Sequence, residues 1–242
     1  MRLLIAGDYD AEFVAQVTAA GLALCERDPD VVVSVGGDGA FIGAERAWPG
    51  VPKLGIRRDA TCFKCESHTD EVMLRRLRLG ALQETRLIKL EARGSGTDLL
   101  ALNDIILRNA DVRSAVRFRV LLDGRPITEE LIGDGLVLAT PFGSSAYFRS
   151  ITGITIRTGI GLAYNNCTDA LHHLVLAEDE TITVQVIRGP ALLAADNNPE
   201  VHTLGDGAEI TVRRAAQPAR VLAVDSLRCP ECRYINAPRR RF

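Results

Sequence analysis

Val31-Val32-Val33-Ser34-Val35-Gly36-Gly37-Asp38-Gly39-Ala40-Phe41-Ile42 decides the fold. The run from Val31 to Val35 is apolar at nearly every position, so both faces of the strand it predicts must be covered, as in a parallel sheet between helices. Glycines then punctuate the chain, and Ala40 to Trp48 reads as a helix. Outward from this unit the grammar repeats. Leu3 to Ala6 reads as a buried strand, Ala11 to Ala20 as a helix with Phe13, Val14 and Val17 on one side, and Lys53 to Ile56 as a third strand. Thr69 is a capping residue followed by the acids Asp70 and Glu71, which predicts a helix running to about Leu79 and stopped by Gly80.

After Gly80 the pattern changes. Leu87 to Ala92, Leu99 to Leu107, Val116 to Leu122, Leu136 to Ala139, Thr181 to Ile187, Ala191 to Ala195, Glu209 to Val212 and Val221 to Val224 are strand-like runs. Turns such as Asp123-Gly124 and Gly205-Asp206-Gly207 separate them. One helix is expected among them, starting near Ser144. The expected fold is therefore an α/β N-terminal domain with a parallel sheet, plus a mainly antiparallel β C-terminal domain. Boundaries are placed at 1–83 for the first domain, rejoined by the tail 222–242, and at 84–221 for the second.

A chain of 242 residues, 47% apolar and 25% charged, can bury a core in each domain, which excludes a disordered or fibrous protein. The net charge of -2 supplies no global basic field for nucleic acid or anionic lipid. No apolar stretch approaches the roughly 20 residues of a membrane span, and Met1 leads directly into strand-like residues, so a cytoplasmic protein is expected. The lysines are Lys53, Lys64 and Lys89, and none follows a glycine-rich loop, which excludes a Walker-type phosphate loop.

Three segments carry the chemistry. Gly36-Gly37-Asp38-Gly39 lies where a buried strand gives way to a helix, the place where open α/β sheets bind ligands. Glycines there admit a phosphate to the backbone, and the amides of the helix start favour its charge. Asp38 would repel that phosphate unless it handles a proton or a metal; a tight turn with Asp38 as helix cap explains the same residues. Asn103-Asp104 interrupts an apolar strand with two polar side chains, each costing about 1–3 kcal/mol if buried without partners. Internal pairing or a polar ligand would satisfy them. Finally, Gly133-Asp134-Gly135 leads through a strand into Thr140-Pro141-Phe142-Gly143-Ser144-Ser145-Ala146-Tyr147, a turn that presents hydroxyls, amides and an aromatic ring.

These segments, in this order, resemble the NAD kinase family, whose motifs read Gly-Gly-Asp-Gly, Asn-Glu and Thr-Pro-x-Gly-Ser-Thr-Ala-Tyr. The resemblance continues through Leu171-His172-His173-Leu174-Val175-Leu176, Asp196-Asn197-Asn198 and Leu204-Gly205-Asp206, and covers the chain to about Asp225. It implies transfer of the γ-phosphoryl group of ATP to the 2′-hydroxyl of the adenosine ribose of NAD, with Mg²⁺ neutralising phosphate charge and a homo-oligomer, dimer or tetramer, completing the site. By the same resemblance Gly36, Gly37 and Gly39 contact phosphates and Asp38 accepts or orients the proton of the attacking hydroxyl. Asn103 and Asp104 hold the adenine end or ribose, and Ser145, Ala146 and Tyr147 line the adenine pocket. Thr140 and Ser144 join the NAD-binding set, and Asp134 takes the nicotinamide side. A kinase for another nucleotide or sugar-like hydroxyl, and a silent nucleotide-binding protein, are the alternative readings.

The sequence departs from the family pattern in places. Asp104 stands for glutamate, Asn197 for glycine, and Phe142 for a small polar residue. The family stretch Gly-Ile-Asn-x-Gly-x-Leu-Gly-Phe is rebuilt here as Gly55-Ile56-Arg57-Arg58-Asp59-Ala60-Thr61-Cys62-Phe63-Lys64-Cys65. Arg57 and Arg58 read as solvated charges or as partners for the nucleotide phosphates. Cys62 and Cys65 form one Cys-x-x-Cys pair, and Cys229 and Cys232 a second. Together they have the ligand set of a structural tetrahedral zinc site stapling the tail to the rebuilt loop. A redox pair and buried thiols are the other readings. Cys25 and Cys167 read as core residues, and the consecutive His172 and His173 would face opposite ways on a strand.

Overall fold

Val31–Val35 is a strand buried at every position, as its sequence requires, and the α/β unit is built around it. A computed structural model describes residues 1–58, 66–168 and 172–227. Strands β1 (Arg2–Gly7), β2 (Ala23–Leu24), β3 (Val31–Val35), β4 (Lys53–Ile56) and β5 (Glu84–Leu87) alternate with helices α1 (Ala11–Ala19), α2 (Asp38–Ala47) and α3 (Asp70–Arg78). The sheet order is β2, β1, β3, β4, the returning strand Ala219–Leu222, and β5. All neighbours are parallel up to the returning strand, which is antiparallel to β5. Local signals explain the helix ends: the Asp10 carboxylate caps α1 through the Phe13 amide, Thr69 caps α3, and Gly80 follows α3 with φ +64°. Phe13, Val17, Val33, Val35, Leu54, Met73, Leu74 and Leu77 form the core between sheet and helices.

Lys53 and Lys89 are buried. Lys53 is fully enclosed, ion-paired with the buried Glu45 and donating to the Trp48 carbonyl. It is a core residue of β4, with no ammonium turned outward.

The second unit, Ile88–Pro218, is two antiparallel sheets. Its strands are β6 (Leu90–Gly94), β7 (Thr97–Ala101), β8 (Asp104–Asn109), β9 (Val116–Leu122), β10 (Arg125–Pro126), β11 (Leu131–Gly133), β12 (Gly135–Ala139), β13 (Ile160–Asn165), β14 (His173–Leu176), β15 (Ile182–Arg188), β16 (Ala191–Ala195), β17 (His202–Leu204) and β18 (Glu209–Arg214). One sheet runs β10, β9, β15, β18, β6, β7, with β11 also on β9; the other runs β14, β13, β12, β8, β16, β17. Alternate residues of both sheets, among them Phe118, Val120, Val184 and Ile210 from the first and Leu107, Leu136, Leu162 and Leu193 from the second, share one core. β12 is buried at every position because helix α4 (Tyr147–Thr152) covers its other face, setting Phe148 on Val137, Ala139 and Ala163.

Three expectations are corrected. The run Leu99 to Leu107 is two strands, because the main chain at Leu102 and Asn103 leaves the ladder and its amides donate to the Asp196 carboxylate. Leu87 to Ala92 is also two, divided at the boundary between the units. Val221 to Val224 is no strand of the second sheet system: Ala219–Leu222 returns to the first sheet, and the chain turns at Ala223, φ +49°, into the helical turn Val224–Leu227. Among the described residues no helix is long and apolar enough to cross a membrane.

Candidate active site

In the first unit the parallel strands β1, β3 and β4 end side by side, with Gly7 paired to Val35 and Val35 to Ile56. That edge is where an open α/β sheet offers its main chain to a ligand. Gly36 turns there with φ +136°, a conformation closed to most side chains, and its amide donates to the Ile56 carbonyl at 2.9 Å. A Cβ on Gly37 would meet nothing within 4 Å, so the turn is open on its outer side. Gly37 is the N-cap of α2 and Asp38 its first residue; no side chain caps the helix, so the capping explanation of Asp38 does not hold.

The Asp38 side chain is 40% exposed, and its Oδ1 lies 3.5 Å from Arg57 Nη2. Arg58, in contrast, is taken by Asp70 at 2.9 Å and by the Phe13 ring, 5.3 Å from its guanidinium carbon. The structure therefore brings Arg57 to the aspartate and sends Arg58 to the helices. Gly7 was not among the expected site residues. A Cβ there would lie 2.0 Å from the Val35 carbonyl oxygen, so the edge closes only with glycine at that position; a glycine ending a strand is the available sequence signal.

In the second unit the Asn103-Asp104 turn and the loop after β12 are built against each other. Asp196 accepts from the Leu102 amide at 2.7 Å, from Asn103 at 2.7 Å and from Asp104 at 3.0 Å, which fixes the main chain of the turn. Thr140 clamps it from the other side: its hydroxyl donates to the Leu102 carbonyl at 2.6 Å and its amide to the Asn103 carbonyl at 2.9 Å. A Cβ on Gly143 would lie 2.1 Å from that same carbonyl oxygen, so the approach requires glycine. Ser144 is tied to the Pro141 carbonyl and to the main chain of Ile156. Thr140 and Ser144 are both buried, so their hydroxyls hold the loop and are not presented to a ligand. Ser145 and Tyr147 are half-buried and Ala146 is exposed.

What the clamp leaves over is the polar pair itself. Asn103 is 6% exposed and its Oδ1 has no hydrogen-bond partner, an unmet demand that a ligand donor would satisfy. Burial, and the nearby charge of Asp196, push the Asp104 carboxyl up to about 7. Such a group offers a donor as well as acceptors near neutrality. Tyr147 accepts from Asn165 at 3.2 Å, and Asn165 pairs with Gly135 beside Asp134. Asp134 itself accepts from Asn166 at 3.2 Å. It lies at the opposite end of β12 from Asn103, about 20 Å along the strand at roughly 3.3 Å per residue. Asn165 and Asp196, absent from the expected set, hold Tyr147 and the main chain of residues 102–104 across gaps in sequence that no local pattern signals. Cys62, Cys65, Cys229 and Cys232 lie outside the described residues, and among those described no cluster of His, Cys, Asp and Glu forms a metal cage.

Comparison with known proteins adds the following. The profile of the ATP-NAD kinase C-terminal domain matches residues 102–224. An NAD kinase of Hyphomonas neptunium is 30% identical over 212 residues, 82% of this chain and 80% of the relative. One of Thermoplasma acidophilum is 25% identical over 224 residues, 89% of this chain and 81% of that one. Among solved structures, yeast NADH kinase complexed with NADH superposes with a TM-score of 0.78 at 17% identity, over 92% of this chain and 83% of that one. An NAD kinase from Archaeoglobus fulgidus in complex with ATP gives 0.77 at 20% identity, over 94% and 96%. These two likenesses extend the shared fold to both units.

Proposed function

Because the chain belongs to the NAD kinase family, we propose that it transfers the γ-phosphoryl group of ATP to the adenosine ribose 2′-hydroxyl of NAD, giving NADP and ADP. The observation that carries the reading to named residues is Asp38, whose carboxylate is free of any capping duty and partly exposed at the strand edge. In this reaction the 2′-oxygen forms a bond to the γ-phosphorus while the bond from that phosphorus to the β,γ-bridging oxygen breaks. The hydroxyl proton passes to the Asp38 carboxylate, and the bond electrons leave with ADP. The main chain of Gly36, Gly37 and Gly39 receives phosphate. In the second unit Asn103 and Asp104 bind the adenosine end, Ser145, Ala146 and Tyr147 border it, and Asp134 takes the nicotinamide side.

Mg²⁺ would accompany ATP as part of the substrate. Asp38 supplies a hard oxygen donor of the kind that ion accepts, at the same edge. The ion supplies charge neutralisation for the transferring phosphoryl group, which the two described lysines, both buried, do not offer from the surface. An NADP-formation assay with NAD, ATP and Mg²⁺ tests the reading. Turnover of NAD is expected; turnover confined to another nucleotide or sugar, or nucleotide binding without phosphoryl transfer, overturns it.

The same reading includes a homo-oligomer, a cytoplasmic setting with reduced thiols, and a structural zinc on Cys62, Cys65, Cys229 and Cys232. What supports the zinc is the spacing of the two pairs and the described residues that flank them: Arg57 donates to the Leu227 carbonyl at 2.5 Å, and His68 lies 3.6 Å from Asp225. Those contacts bring the chain before Cys229 to both shoulders of the stretch that holds Cys62 and Cys65. Protein purified without chelator is expected to carry about one zinc per chain, as one tetrahedral four-thiolate site holds one ion; metal analysis finding it zinc-free counts against the site.

A further inference from the structure

We propose that Arg57 is a positioning residue for the Asp38 carboxylate, and that the main chain of the C-terminal segment holds it in that role. The proposal rests on the assignment of Asp38 as the acceptor of the substrate proton.

Arg57 leaves the end of β4, and its side chain is 12% exposed. One arm of the guanidinium donates to the Leu227 carbonyl at 2.5 Å, and the other lies 3.5 Å from Asp38 Oδ1. The group is planar and rigid, so anchoring one arm on a carbonyl sets the direction in which the second presents its N–H. The anchor is itself fixed. Leu227 is 5% exposed and packs so closely over β4 that a Cβ on Gly55 would lie 2.4 Å from its Cδ2. Ser226 ties the same turn by donating to the Ala223 carbonyl at 2.8 Å, and Asp225 approaches His68. A chain of contacts thus runs from the C-terminal turn through one side chain to the carboxylate at the phosphate turn.

This arrangement differs from a phosphate ligand. A phosphate-binding arginine presents its fork to solvent, whereas Arg57 has spent one arm on the main chain and leaves little of the group accessible. Its effect should fall on the orientation of Asp38, and hence on turnover.

Arg57→Met and Arg57→Lys test this. Arg57→Met is expected to lower kcat by about 10- to 100-fold, the penalty of a misplaced catalytic group, with KM for ATP and NAD changed less than about twofold on the same grounds. Lysine, one charge without a fork, should recover part of the loss. In the substrate-free protein, amide hydrogen exchange at residues 224–227 should be faster in Arg57→Met than in wild type and unchanged in Asp38→Asn. A raised KM for ATP at unchanged kcat makes Arg57 a phosphate ligand and overturns the proposal, as does wild-type turnover in both variants or unaltered exchange at 224–227. The exchange measurement needs no reaction. A chain that forms no NADP would therefore remove the functional reading while the anchoring is still judged on its own result.

Discussion

Asp38→Asn is expected to lower NADP formation by about 10²- to 10⁴-fold, the range associated with a positioned general base, while NAD and ATP bind within a few-fold of wild type. The reasoning is geometric. Gly37, not Asp38, is the N-cap of α2, and no side chain closes that cap, so the helix start does not depend on the carboxylate. Asparagine keeps the size of the side chain and a contact for Arg57, but it has no carboxylate to take the hydroxyl proton. Steady-state kinetics with calorimetric binding of NAD separates the two effects. Equal turnover in the two proteins would remove Asp38 from the reaction, and lost NAD binding would make its role one of affinity.

A second large effect is expected from Asp104→Asn, read as a stability difference that depends on pH. Asp104 is 5% exposed, and its carboxyl is raised from the ordinary 3.8 to about 7 by burial and then by Asp196. A raised carboxyl holds its proton more tightly in the folded chain than in the unfolded one. Wild-type stability therefore falls as pH rises from about 4 to about 7, and levels off above it. Asparagine has no such slope. The variant should gain on wild type by up to about 1.4 kcal/mol per pH unit inside that window, so its advantage is larger at pH 8 than at pH 5 by about 2–3 kcal/mol. Melting temperatures of both proteins at the two pH values measure it. A constant difference would show that Asp104 is ionised in the fold throughout.

The sheet of the first unit was legible because its signals are short-ranged. Val31–Val35 is apolar on both faces, Thr69 caps α3 and Gly80 ends it, and each of these is written within a few residues. The same holds for the motifs that carry the family resemblance. The site residues separate along a different line. Thr140 and Ser144 sit inside the most recognisable motif, yet their hydroxyls clamp the loop, and the unmet hydrogen-bonding demand lies at Asn103. A motif marks where a segment matters without saying which of its side chains face the ligand.

By itself the sequence determined the alternation of strand and helix in the first unit, the change from parallel to antiparallel grammar, and the glycine turn with its aspartate, because periodicity and turn chemistry act between near neighbours; short or turn-flanked strands such as Ala23–Leu24 and Ile160–Asn165 were not legible in it. Only the tertiary structure decided where Ala219–Leu222 pairs, that Asp196 organises a turn 92 positions before it, and that Arg57 joins Asp38 to the C-terminal turn while Arg58 goes elsewhere. The physical reason is that buried donors and acceptors must be satisfied, and their partners are supplied by whichever distant segment packing brings near. No local pattern encodes that choice.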